Sequence, residues 1–500
     1  MGANGSGRNS NKARELLTGA SSIYAATVAT VVLQFGYAAF TTRVVGAEDF
    51  GLYAIATASA VLLGSIAAGP LVASAGRMQH VGGPGLRALW RLGVVVASVA
   101  AALMFLTAPV WAWIWGAPDA LPVLRLIALS VFVGPLSALA GALMRRVGSF
   151  RVLAIGTVIA NAVGMAVGVL AVAYFHNAIS LVVSALIGQI LAGIAFAWMI
   201  RRYFAHGGPP ARARDFISYG TTIGMSRLLG FVNGFLGKFA VSHGVGVSAL
   251  GVWNRAEVVS SVPTQQLQSA IIQAVYPEFR HDVGSPTRAR RVWPDLLGLV
   301  AWTLWPPMAY AAVAMFGVLP LLFGPGWEAA EPIAAVLVLS GALQLSTMVL
   351  SSAVEALGRR RWILIQQLSV LAVQVFGAVA TVRIGSLWPV LVAVPVSMVV
   401  QHGIDLRMAR AAGYVGLRPV ARYYCGAATA AAAAAALAVV TLMATEQLGP
   451  LLRTASFGVV FVSLIAIAWA ARSRLVPYRL YMQYGGRPAG AVARREADSS

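Results

Sequence analysis

The chain has 500 residues, of which 59% are apolar and only 11% charged, and its mean hydropathy is +0.78. An ordinary soluble domain carries charge on about a quarter of its residues, so that class is excluded and a polytopic membrane protein is indicated. The formal charge of +21 is spread over short arginine clusters instead of one patch, which points to membrane topology and contact with anionic membrane lipids, and not to a nucleic-acid partner.

Fourteen apolar stretches follow one another, each long enough at about 20 residues to cross the hydrocarbon core as a helix. The first, Ala20 to Thr42, follows a tail holding Arg8, Lys12 and Arg14. Gly51 to Gly76 and Leu92 to Trp115 flank Arg77, Arg87 and Arg91. Leu121 to Leu143 and Val152 to Tyr174 flank Arg145, Arg146 and Arg151, and Ile179 to Ile200 and Phe216 to Val241 flank Arg201, Arg202, Arg212 and Arg214. Val247 to Tyr276 and Leu296 to Phe323 flank Arg280, Arg288, Arg290 and Arg291. Ala330 to Leu357 and Trp362 to Val382 flank Arg359, Arg360 and Arg361; Ser386 to Ile404 and Tyr423 to Met443 flank Arg407, Arg410 and Arg418. Leu451 to Ala471 leads into a second basic tail. The alternate gaps hold only Arg43 and Arg383, together with acids such as Glu48, Asp49, Asp119, Glu328 and Glu446.

Lys and Arg resist translocation, so the arginine-bearing gaps and both tails are predicted to be cytoplasmic. The expected fold is all-α and polytopic, with about fourteen transmembrane helices, in a bacterial cytoplasmic (inner) membrane. Outward gaps are about ten residues or fewer, too short for an extracytoplasmic catalytic domain. Cys425, the single cysteine, precludes an intramolecular disulfide.

The first and seventh stretches align without a gap at an offset of 200 residues: Ile23 with Ile223, Phe35 with Phe235, Val45 and Gly46 with Val245 and Gly246, Gly51 with Gly251, Ala56 with Ala256. Six helices separate the copies, so both enter the membrane in the same direction. Such parallel repeats build transporters of two bundles, with a substrate site between them and rocking between inward and outward openings. The predicted organisation is a cytoplasmic tail over 1–19, a six-helix bundle over 20–204, a cytoplasmic linker over 205–215, and a second six-helix bundle over 216–410. Helices 13 and 14 follow over 411–471, and a cytoplasmic tail over 472–500.

Charges at bilayer depth are costly and mark cavities or pathways. The seventh and eighth stretches hold most of them. Arg227 falls near mid-membrane and Lys238 toward the outer surface, within roughly 20° of each other around the helix, so one face carries both cations. Lys238 is alternatively read as snorkelling to the outer interface. In the eighth stretch Arg255, Gln266, Ser269 and Gln273 align, with Pro263 bending the register, and the run of glutamines predicts a helix that lines water. Arg255 and Glu257 lie two apart and cannot share a face. Glu355, Asp295 and Asp405 sit near cytoplasmic helix ends beside arginines and are read as local ion pairs instead of proton relays. The sequence has no Gly-Lys-Ser/Thr nucleotide loop, no outward acidic metal motif and no histidine cluster, so a transporter without cofactor or metal is expected in place of an enzyme.

The segment from Val44 to Tyr53 (VVGAEDFGLY), the segment from Ala249 to Glu257 (ALGVWNRAE), and the following Pro263 and Val275, Tyr276 and Pro277 resemble the polysaccharide-exporter (Wzx-type) flippases of the multidrug/oligosaccharidyl-lipid/polysaccharide export superfamily. The resemblance implies a MATE-like pair of bundles plus two C-terminal helices. It implies a flippase moving polyprenyl-diphosphate-linked oligosaccharide repeat units from the cytoplasmic to the outer leaflet for exopolysaccharide, capsule or O-antigen (lipopolysaccharide) synthesis. A polysaccharide polymerase and co-polymerase are the implied protein partners. The implied substrate cavity is cationic and lined by helices 1, 2, 7 and 8, with Arg227, Lys238, Arg255, Gln266 and Gln273 joined by Gln34, Tyr37 and Arg43 of helix 1. Cations there would offset desolvation of the diphosphate. H⁺ or Na⁺ coupling is left open, with Glu257 the best-placed carboxylate.

Alternative functions are a lipid II flippase, which shares the helix count and cationic cavity, and a cation-coupled multidrug antiporter. The antiporter would favour acidic residues within helices 1 to 6, which offer essentially none at depth. A polymerase or membrane glycosyltransferase would carry a large outward loop that this chain lacks.

Overall fold

The computed structural model describes residues 25–78, 81–205, 207, 232–282 and 285–485. Fourteen helices among them overlap the expected stretches, although the third stretch, expected to run to Trp115, breaks at Thr107 and its last part forms a separate short helix, Ala108–Ile114. They are α1 (Ala25–Thr41), α2 (Ala47–Arg77), α3 (Gly83–Leu106), α4 (Leu121–Arg146), α5 (Phe150–Phe175), α6 (Ala178–Ile200), α7 (232–244), α8 (Val247–Asp282), α9 (Pro286–Phe323), α10 (Ala330–Ala356), α11 (Arg360–Ile384), α12 (Trp388–Ala411), α13 (Leu417–Ala444) and α14 (Pro450–Ala470). Eleven of these are long and apolar enough to span a membrane. The others are α1, described over 25–41, α7, described over 232–244, and α8, which carries Asn254, Arg255, Glu257, Gln265, Gln266 and Gln268. A further helix, α15 (Val476–Gly485), follows the last span and seats Leu480 against the protein, adding structure to what sequence alone treats as a tail.

The chain divides into two compact units, one comprising Met1–Asn254 with Val382–Leu387 and the other Arg255–Thr381 with Trp388–Ser500. This partition differs from the sequence repeat, because α7 and the first turns of α8, which open the second copy, belong to the first unit.

In the first unit α2 packs on α3, α4 and α6. Its C-terminal end is closed by Leu71, Ala75, Leu86, Leu89, Leu139, Leu143, Phe196 and Ile200, all buried. Nearer its N-terminal end, fully buried Trp115 donates its Nε1–H to Ser59 Oγ at 3.1 Å. Phe235 and Phe239 of α7 pack on that indole with ring centroids 4.7 and 6.0 Å away, and Ser242 Oγ donates to the Trp115 carbonyl at 3.3 Å. These contacts fix α7 to the first unit. The start of α6 is capped twice: the Asn177 side chain accepts from Ser180 N at 3.2 Å, and Asp49 Oδ1, from the first turn of α2, accepts from Ala178 N at 2.9 Å. Both satisfy amides that an isolated helix start would leave unpaired.

The 200-residue offset has a physical counterpart here. The first turns of α2 and α8 cross so closely that a β-carbon on Gly51 would fall 2.1 Å from the Val247 carbonyl oxygen, and one on Gly251 would fall 1.8 Å from the Ala47 carbonyl oxygen. Gly51 and Gly251 are repeat partners, as are Ala47 and Val247. The contact is therefore reciprocal, as a pseudo-two-fold relation requires.

In the second unit α10 is the most internal span, with 61% of its apolar stretch buried, and α14 the most peripheral, with 6%. Trp293 stacks on Tyr414 at 5.0 Å and meets Phe279 edge-on at 5.1 Å in a core completed by Leu297, Leu345, Val349 and Leu350. The appended pair α13 and α14 packs on α9, where Tyr310 donates its hydroxyl to the Phe457 carbonyl at 2.9 Å. Tyr423 donates to Asp295 Oδ1 at 2.8 Å near the other end of α9.

Candidate functional site

A cavity of about 480 Å³ opens within the first unit between α2, α4 and α6. Its wall on α2 runs from Tyr53 to Val72, which at 1.5 Å per residue is about 28 Å, nearly the thickness of the hydrocarbon core. The facing walls of this furrow, Ile127 to Ala138 on α4 and Val182 to Gln189 on α6, are shorter, at about 16 Å and about 10 Å. Small residues such as Ala60, Gly64, Ala68, Gly134 and Ala185 keep it open, and most of its surface is apolar. Polar groups interrupt that surface at Tyr53, Thr57, Ser65, Ser130 and Gln189. Ser130 Oγ of α4 donates to Gln189 Oε1 of α6 at 2.6 Å, so the amide is oriented by a neighbour. Such a lining accommodates an apolar chain while offering hydroxyl and amide groups to a polar one.

Among the described residues, none of those assigned to the substrate cavity from sequence lines this furrow, and sequence reasoning missed it. A signal was present, since Gln189 is the only side-chain amide in the sixth apolar stretch and Ser130 lies mid-way along the fourth. Attention to charge alone passed over both.

The sequence-derived site residues are distributed as follows. Gln34 and Tyr37 are half-buried on α1, with the Tyr37 hydroxyl set into the seam of α5 and α6, where a β-carbon on Gly168 would fall 3.0 Å from it. Arg43 is exposed, and its Nη1 donates to the Ala39 carbonyl at 2.6 Å, which folds the guanidinium back over the end of α1. Lys238 is half-buried on α7, beside the aromatic ladder of Phe235, Phe239 and His243. Arg255 is buried at 7% exposure, Glu257 is half-buried and Gln266 is exposed on α8. Arg227 and the Gln273 side chain lie outside the described residues. Within the first unit the structure thus places Gln34, Tyr37, Arg43 and Lys238, and within the second Arg255, Glu257 and Gln266.

Asp405 departs from expectation. It does not pair with an arginine among the described residues but is completely buried, accepting from Ser351 Oγ at 2.6 Å and from Gln366 Nε2. Its position six residues before the end of α12 turns it toward α10 and α11, away from Arg407 and Arg410, which are exposed. Asp295 likewise has the Tyr423 hydroxyl as a partner.

Comparison with known proteins gives this architecture a relationship. Residues 40–332 match the family described as "Polysaccharide biosynthesis protein". The succinoglycan biosynthesis transport protein ExoT of Rhizobium meliloti (strain 1021) is 25% identical over 321 residues, covering 62% of this chain and 63% of that protein. The teichuronic acid biosynthesis protein TuaB of Bacillus subtilis (strain 168) is 21% identical over 60% of this chain and 63% of its own length. The lipopolysaccharide biosynthesis protein WzxC of Escherichia coli (strain K12) is 20% identical over 64% and 66%. This chain therefore spans a little under two thirds of the length of these curated relatives. Among solved structures, the lipid II flippase MurJ in an inward closed conformation superposes with a TM-score of 0.68, at 10% identity, over 91% of this chain and 99% of that one. A point mutant of the Vibrio cholerae MATE transporter VcmN superposes with a TM-score of 0.52, at 14% identity, over 80% and 98%. These likenesses bear out the expected fold, and the matched span of 40–332 includes both segments on which the resemblance rests. The chain belongs to the family described as polysaccharide biosynthesis protein.

Proposed function

We propose that this protein is a flippase that carries polyprenyl-diphosphate-linked oligosaccharide from the cytoplasmic to the outer leaflet of a bacterial cytoplasmic membrane, by alternating access, with both termini cytoplasmic. The observation that carries this reading is the furrow between α2, α4 and α6, whose α2 wall is nearly as long as the hydrocarbon core is thick, in a member of a polysaccharide biosynthesis family. A lipid-linked sugar needs a path that tolerates a hydroxyl-rich head group and an apolar tail together, and a wall of small residues with hydroxyl and amide groups meets that need. The names of ExoT, TuaB and WzxC each concern a secreted or surface glycopolymer, which favours a glycan cargo over a drug. Arg227, Lys238 and Arg255 are assigned to the anionic diphosphate. Direction agrees with the electrical force, since an inside-negative potential favours outward movement of anions by about 2.3 kcal/mol per charge per 100 mV. A polymerase and co-polymerase acting on the outer leaflet are the proposed partners.

The test is to deplete the protein from cells and measure lipid-linked oligosaccharide, reading its leaflet with a membrane-impermeant sugar reagent. Accumulation of completed repeat units on the inner leaflet supports flipping and identifies the glycan. Accumulation of lipid II there would transfer the function to peptidoglycan precursor export. Unchanged glycolipids with intracellular build-up of toxic cations would replace it with drug efflux.

A further inference from the structure

The second unit contains a carboxylate for which the cavity above has no use. Asp405 on α12 is 0% exposed. Ser351 Oγ of α10 donates to its Oδ2 at 2.6 Å, Gln366 Nε2 of α11 donates to its Oδ1, and Gln401 Nε2 donates to Ser351 Oγ at 3.1 Å. Its partners among the described residues are all neutral. An uncompensated carboxylate is costly at such a position, so the useful question is which protonation states these side chains can satisfy.

Both direct partners are ambivalent. A hydroxyl donates or accepts by rotation, and an amide presents nitrogen or oxygen by a half-turn. When Asp405 is ionised, Ser351 and Gln366 both donate to it. When it is protonated, its O–H donates to Ser351 Oγ or to the turned Gln366 Oε1 while its other oxygen still accepts. The same side chains therefore serve both forms without repacking. An arginine or lysine beside the carboxylate would instead have favoured its ionised form.

The surroundings give the site an approach and a continuation. Glu355 lies four residues beyond Ser351, at the exposed end of α10, within electrostatic reach of Asp405. On α12 itself His402 Nε2 pairs with the Tyr424 hydroxyl of α13 at 2.9 Å while its Nδ1 is buried without a hydrogen-bond partner among the described residues, and Arg407 and Arg410 are exposed, as is Arg361 on α11. Farther into the membrane, in the same antiparallel register of α11 and α12, Gln374 Nε2 donates to Ser397 Oγ at 3.1 Å and Thr381 Oγ1 accepts from Val390 N at 3.0 Å. Successive polar levels are about 12 Å and about 10 Å apart along the helices.

We propose that Asp405, framed by Ser351, Gln366 and Gln401, is a proton-binding site that exchanges its proton with the predicted cytoplasmic side by way of Glu355. The step is a simple protonation: a proton from water at Glu355 passes to the Asp405 carboxylate, giving the carboxylic acid and restoring the Glu355 carboxylate. Use of this site to couple H⁺ to transport rests on the flippase reading above, but proton binding itself does not.

The test is pH-difference infrared spectroscopy of the purified full-length protein in lipid nanodiscs, with no glycolipid present, so its outcome is independent of what the protein transports. The expected result is a protonated-carboxyl C=O band that is lost as pH rises and is missing in Asp405→Asn. Ser351→Ala and Gln366→Met keep the carboxyl but remove a partner, and each is expected to displace the midpoint by about one pH unit, a tenfold change in proton affinity. They carry the test if Asp405→Asn does not fold. Identical difference spectra for wild type and Asp405→Asn, midpoints unmoved in both partner variants, or a band that responds to Na⁺ at fixed pH instead of to pH would each overturn the proposal.

Discussion

Gly251 of α8 packs against Gly51 of α2 so tightly that a β-carbon on Gly251 would lie 2.9 Å from the Gly51 amide nitrogen. The obstacle is backbone, which cannot swing aside as a side chain would. Overpacking typically costs about 1–3 kcal/mol, and here the helix starts must separate. Gly251→Val is expected to lower thermal stability and cut glycan export at least tenfold. Gly234→Ala on α7, which has open space around it, serves as the neutral control. Wild-type export by Gly251→Val would show that the crossing has no bearing on transport.

The cationic assignment is tested by Arg227→Ala and Arg255→Ala, each expected to abolish export while leaving membrane expression intact. Arg255 is the more informative because its burial at 7% exposure implies a desolvated guanidinium, and Arg255→Lys should restore only part of the activity since a lysine lacks the planar fork. Normal glycan export by both alanine variants would remove these cations from the substrate path.

The furrow predicts a different pattern. Gly64→Leu and Ala68→Leu add bulk to an open wall without breaking a helix contact, so transport should fall about tenfold with melting temperature nearly unchanged. Gln189→Leu removes the acceptor of Ser130, a loss of about 1 kcal/mol, and should impair transport as well. Bulky variants that leave export untouched would place the path elsewhere.

Outside the spans, the Glu328 carboxyl is held below its ordinary range because backbone N–H groups of Glu328 itself and of Gly326 donate to it. A depressed carboxyl contributes order that is fully present above the unfolded pKa and lost as pH falls through the lower folded value. Hydrogen-exchange protection of the Gly326 amide, corrected for intrinsic rate, should therefore persist through the ordinary carboxylate range and fail only below it, and Glu328→Gln should lack this dependence. Loss of protection already at the ordinary carboxylate pH would contradict the assignment.

Tyr310→Phe removes the hydroxyl that ties α9 to the Phe457 carbonyl of α14. The expected loss is about 1 kcal/mol, seen as a lower melting temperature in detergent, with export unchanged at moderate temperature. A large export defect would instead assign α14 a part in handling the cargo.

Helix number and position were readable from hydropathy because a spanning helix must satisfy its backbone internally and present an apolar surface. The offset alignment picked out Gly51 and Gly251 without revealing that they touch. What escaped were the features made by neutral side chains meeting across helices. Ser130 with Gln189, and Ser351 with Asp405 and Gln366, are far apart in sequence, and no periodicity within one stretch reports such a meeting. The arginines near Asp405 in sequence were a misleading guide for the same reason: adjacency along the chain says little about which helix face a residue occupies. The place of α7 in the first unit was equally hidden, since it depends on Trp115 receiving Phe235 and Phe239.

Asp49 and Gly51 both fall in the segment on which the family resemblance rests, yet one closes the start of α6 and the other permits two helices to cross. The most recognisable stretch of the protein is thus joinery. A chimaera that takes residues 44–53 from a relative should therefore keep the cargo of the host chain.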